Sequence, residues 1–172
     1  MDILQLQLLC QSFQTIRLMK LSEHFDLNEF TRSDYAKRNG INNLPNAEQS
    51  DNLRELCINV LEPIRKHFQI PILISSGFRS KALNTAIGGA KNSQHTTGEA
   101  VDIDHDLSAN VVSNKMIFDF IKSNLTFDQM IWEFGTSTNP DWVHVSYVAN
   151  GKNRNQILRA IKHGGKTTYE KY

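Results

Sequence analysis

The chain has 172 residues, 40% of them hydrophobic and 22% charged, with a formal net charge of +1. That length and mix fit one globular domain with a core large enough to fold unaided. The near-neutral balance excludes the electrostatic footprint of a nucleic-acid binder, and no apolar run reaches the length of a membrane span. Cys10 and Cys57 stand far apart and outside any C-x-x-C, which argues against a disulfide framework or a cysteine-rich zinc module.

The chain begins "MDILQLQLLCQSFQTIRLMK". An acid follows Met1 and no basic segment precedes the apolar stretch, so it makes a poor signal peptide. Residues 1–20 are set apart as a leader of uncertain status, since Met19 could be the true start. Asp26 followed by Glu29 is a capping-box pattern that predicts a short helix. "GINNLPN", 40–46, is turn chemistry. Leu53, Leu56, Cys57, Val60, Leu61, Ile64 and Phe68 recur at helical spacing and predict a long helix over about 47–68, with Pro63 a candidate kink.

"IPILISS", 70–76, predicts a strand. "SKALNTAI" predicts a short helix capped by Ser80, and 88–98 a loop. "EAVDID" predicts a second strand. Ser108 is expected to cap a helix running to about Asn124. "FDQMIWEF", 127–134, and "DWVHVSYV", 141–148, predict a third and a fourth strand, and "RNQILRAI" a last one. Early helices and late strands point to an α+β fold with a small antiparallel sheet flanked by helices.

The chemistry concentrates in "SQHTTGEAVDI", 93–103. Asp102 lies between Val101 and Ile103, and a buried carboxylate is costly unless it is paired or metal-bound. His95 lies in the loop before it and His144 on another strand, and three such ligands are what a catalytic zinc site takes. The alternatives are a hydrogen-bonded core histidine and an Asp102 paired with Arg79 or Lys81. Asp141, three before His144, could act as general base. Strict alternation would put the two on opposite faces, so Asp141 would need an irregular strand entrance after Pro140; otherwise it is a turn aspartate. Arg79 could hold a carboxylate or an oxyanion, or it could be a surface residue or a partner for Asp104.

With these residues in place, "SSGFRSKALNTAIGGAKNSQHTTGEAVDI" and "DQMIWEFG…DWVHVSY" closely resemble the zinc D-Ala-D-Ala carboxypeptidase family. That family includes phage endolysins cutting L-Ala–D-Glu bonds, and it shares its fold with lysostaphin-type peptidases and the Hedgehog domain. The signature S-x-H-x-x-G-x-A-x-D is matched by Ser93, His95, Gly98, Ala100 and Asp102, and D/E-x-x-H by Asp141 and His144. The resemblance spans about 21–160, leaving 161–172 as a polar C-terminal tail.

The resemblance implies one zinc ion on His95, Asp102 and His144. It implies Asp141 as base, Arg79 as the group that binds and polarises the substrate, and Ser93 as support for substrate geometry. Glu133 inherits only a weak substrate-side role, with a structural ion pair an equal reading. The implied activity is hydrolysis of peptidoglycan stem peptides, as a carboxypeptidase or an endopeptidase, by a monomer. The protein would be made in the bacterial cytoplasm and reach the wall through lysis or a phage particle. The competing expectation is a non-catalytic zinc-containing binding module of the same fold.

Overall fold

The computed structural model describes residues 19–106, 112–149 and 151–172. The leader up to residue 18 and the Ser108 cap therefore lie outside the described residues. Helix α1 (Leu27–Thr31) opens on the Asp26–Glu29 capping box, and α2 (Asp34–Arg38) is capped by Ser33. A second capping box, Asn46 with Gln49, starts α3 (Ala47–Leu56). A π-helical turn, Cys57–Leu61, joins it to α4 (Glu62–Phe68).

That turn is the answer to Pro63. Proline offers no N–H and its ring crowds the carbonyl four residues back. The chain widens by one residue just before it, so that the Glu62 N–H reaches back to the Cys57 carbonyl. The apolar stripe thus continues through the proline. Leu53, Leu56, Cys57, Val60, Leu61 and Ile64 are all fully buried, each contributing about 1.5–3 kcal/mol for a large aliphatic side chain.

Six strands follow in the spatial order β1-β2-β4-β3-β5-β6: β1 (Ile74–Ser76), β2 (Ala100–Ile103), β3 (Gln129–Glu133), β4 (Trp142–Ser146), β5 (Gln156–His163) and β6 (Lys166–Lys171). Helix α5 (Lys81–Ala86) and a 3₁₀ turn (Gln94–Thr97) stand between β1 and β2, and α6 (Asn114–Asn124), capped by Ser113, between β2 and β3. Val101, Ile103, Met130, Trp132, Val143 and Val145 face the helices and join their core. Side chains alternate along a strand, so Asp102, Ile131, Glu133, Trp142 and His144 share the opposite face. No helix among the described residues is long and apolar enough to cross a membrane.

Two expectations need correction. The α+β class stands, but the sheet is mixed, because β5 runs parallel to β3 while every other pair is antiparallel. After β4 the chain crosses the start of β3 and enters beside it. Residues 161–172 are also no tail: they complete β5 and form β6. Gly164 and Gly165, at φ +58° and +79°, make the tight connection, as two-residue hairpins with two positive φ values require.

The crossing into β5 is pinned at Asp128. Its buried carboxylate accepts hydrogen bonds from Arg154 Nε (2.8 Å) and Nη2 (2.5 Å) and from Gln94 Nε2 (2.9 Å). Arg154 hydrogen bonding holds the carboxyl below its ordinary pKa against the opposing effect of burial. A carboxyl with a lowered native pKa stabilises the fold above its unfolded value, about 3.9, and that contribution is lost as pH falls through the native value. Asp128→Asn is therefore expected to cost about 2 kcal/mol at neutral pH, with Arg154 half-exposed. Urea titrations of the two proteins should converge as the pH drops below about 4.

Candidate active site

The loop between α5 and β2 folds back on α3, which fixes His95. Gln49 Nε2 donates to the Thr96 carbonyl (3.0 Å) and Asn52 Nδ2 to the Thr97 carbonyl (2.9 Å). Gly98 ends the 3₁₀ turn at φ +78°, and a Cβ there would lie 2.4 Å from the Gln49 carbonyl oxygen. Gly98→Ala combines left-handed strain with a backbone clash. An expected loss of about 2–4 kcal/mol should appear in thermal melts of the two proteins.

The His95 ring is buried, with Nδ1 2.7 Å from the Gly77 carbonyl oxygen. A carbonyl only accepts, so Nδ1 carries the proton and Nε2 presents its lone pair. Gly77 is needed at this point because any Cβ would meet the Phe30 backbone at 2.6–2.7 Å.

Asp102 and His144 are direct cross-strand partners on β2 and β4, the arrangement that brings side chains closest on one face. His144 Nδ1 lies 2.9 Å from Asp102 Oδ1, and His95 Nε2 lies 3.3 Å from both Asp102 Oδ1 and His144 Nδ1. Burial alone would raise the Asp102 pKa. The charges and hydrogen bonds of His95 and His144 overcome it and hold the carboxyl well below the usual carboxylate range.

These three side chains are the metal-type donor cluster found among the described residues. Two nitrogens and one carboxylate oxygen converge on one point, with His95 oriented from behind by a carbonyl. That donor set fits a three-ligand zinc site with a position left open, and the open side faces a pocket of about 630 Å³. A larger depression, about 960 Å³ beside His24, Ile58 and Glu62, lies away from these donors.

Arg79, Ser93, Glu133, Trp142 and Gln94 also line the site pocket. Arg79 is tied in by its backbone N–H, which donates to the His95 carbonyl (3.1 Å). Its guanidinium makes only a long ion pair to Asp102, 3.9 Å, and its buried Nε has no protein partner. Ser93 stands just before the 3₁₀ turn, where its carbonyl accepts from the Thr96 N–H (2.9 Å) and its side chain makes no capping hydrogen bond. Trp142 walls the pocket, edge-on to Phe134. His105 is buried away from the cluster against the Pro71 carbonyl (2.9 Å).

The structure does not bring Asp141 to this group. Strand β4 starts at Trp142, and alternation turns residue 141 away from the face of His144. Asp141 is exposed and lines a neighbouring depression with Gly135, Arg159 and Lys162, on the far side of the Phe134 and Trp142 that both depressions share. The carboxylate that lines the pocket besides Asp102 is Glu133, only 7% exposed. Burial pushes its pKa up to about 7; the Asp102 charge adds to this, and His144 and Arg79 oppose it. Glu133 pairs in register with Trp142, while Ile131 pairs with His144, so Glu133 is the diagonal neighbour of His144. Its signal in the sequence was the two-residue alternation from Ile131.

A family model described as Peptidase M15 matches residues 23–146, well over half of the chain. No curated protein matches it.

Proposed function

The chain belongs to the Peptidase M15 family, a family of metallopeptidases, and from that premise we propose that it is a zinc peptidase acting on peptidoglycan stem peptides. The observation that carries the reading is the convergence of His95, Asp102 and His144 at the floor of a pocket that also holds Glu133 and Arg79. When bound by the two histidines and Asp102, zinc would supply Lewis acidity and make a coordinated water more acidic.

The chain's own groups do the rest. Glu133, in place of Asp141, accepts a proton from the attacking water as its oxygen bonds to the scissile carbonyl carbon. It returns that proton to the nitrogen as the C–N bond breaks. Its environment suits both steps, since an effective acid–base group has a pKa near the working pH. Arg79 has an unpartnered buried Nε, so it donates to the carbonyl oxygen or to a substrate carboxylate. Ser93 and Trp142 shape the walls and exclude water. A cell-wall substrate would be met after lysis or on a phage particle.

The test is digestion of purified peptidoglycan by zinc-loaded protein, with mass spectrometry of the fragments. Terminal D-Ala release identifies a carboxypeptidase and internal cleavage an endopeptidase. Stoichiometric zinc with no cleavage would leave a non-catalytic zinc module instead.

A further inference from the structure

The family match ends at residue 146, yet the site pocket does not. Leu158 on β5 and Thr167 and Tyr169 on β6 line it together with His95, Asp102 and His144. Strand register explains their presence. Glu133 pairs with Ala160, and Ala160 with Tyr169, so the three form one transverse row on the site face. Ala160 between them is fully buried and small, while Tyr169 at the sheet edge is 56% exposed and open to a ligand. The neighbouring row runs Asp102, His144, Ile131, Leu158, Lys171.

The electrostatics agree with this placement. Burial raises the Tyr169 pKa, and the negative charges of Glu133 and Asp102 raise it further.

We propose that the β5–β6 hairpin is a substrate-binding wall, and that Tyr169 contacts peptide residues remote from the scissile bond. This rests on the peptidase reading of the site. Three strand spacings separate β4 from β6, about 14 Å, which an extended peptide covers in about four residues. A peptide engaged by Arg79 and centred on His144 therefore reaches Tyr169 about four residues from the bond being cut. The wall makes the protein select long peptides over dipeptides. Leu158 offers it an apolar floor, and the hydroxyls of Thr167 and Tyr169 offer bonding to backbone groups.

The experiment is calorimetric titration of zinc-loaded Glu133→Gln protein with a synthetic stem pentapeptide ending in D-Ala-D-Ala and its truncations down to the dipeptide. The expected result is an affinity gain of about tenfold or more along the series, against an order-of-magnitude scale of a few hydrogen bonds. Adding Tyr169→Ala should flatten the series, as should Thr167→Arg, which obstructs the same wall from an exposed position. Zinc content in both variants checks the fold. A series that stays equally steep with both substitutions, or that is flat from the outset, overturns the wall. A steep, Tyr169-dependent series in a protein whose wild type never cleaves peptidoglycan would sink the peptidase reading and leave the wall standing.

Discussion

Glu133→Gln is expected to lower kcat on peptidoglycan fragments by about 10²–10⁴-fold, the usual worth of a positioned general acid–base. Zinc content should not change, because Glu133 lies outside the His95, Asp102 and His144 cluster. The substitution keeps the shape and removes only the ability to take a proton. Asp141→Asn is the informative partner. Asp141 is exposed and in another depression, so its loss should change kcat by no more than about threefold, within the scatter of surface substitutions. Steady-state kinetics with metal analysis on both proteins decides the assignment. A large kcat loss in Asp141→Asn with none in Glu133→Gln would return the role to Asp141.

His144→Ala is expected to abolish stoichiometric zinc. Outer-shell changes at such sites cost about 10–100-fold in metal affinity, and removal of one of three ligands should exceed that. The loss is compounded at Asp102, whose nearest nitrogen, His144 Nδ1 at 2.9 Å, would be gone. Competition with a chromophoric chelator measures the affinity. Arg79→Ala serves as contrast: it should keep zinc but lose activity, because its guanidinium is 3.9 Å from Asp102. Equal zinc affinity in His144→Ala and wild type would remove the metal centre altogether.

Much of this site was legible in the sequence because its parts are local. His95 and Asp102 bracket one turn and one strand; their spacing alone made only a modest motif, which Arg79, Asp141 and His144 and the family resemblance strengthened. An acid between Val101 and Ile103 signalled a charge in need of a partner. The helical stripe from Leu53 to Ile64 was equally legible, since burial follows a repeat that the sequence displays. The Gly164–Gly165 hairpin signal was also present, but a polar composition hid the strand behind it.

Register and crossing were not legible. Alternation warned that Asp141 and His144 would face apart, yet it could not say that Glu133 would sit diagonal to His144, because that depends on how β3 pairs with β4. Pro63 announced a disturbance, but only packing of the stripe on both sides selected a widened turn over a kink. By itself the sequence determined the candidate donors' kinds and their order, along with the apolar faces, because those are properties of neighbours along the chain. The tertiary structure decided which carboxylate enters the pocket and that β5 and β6 wall it, because strand pairing joins residues that the chain keeps far apart.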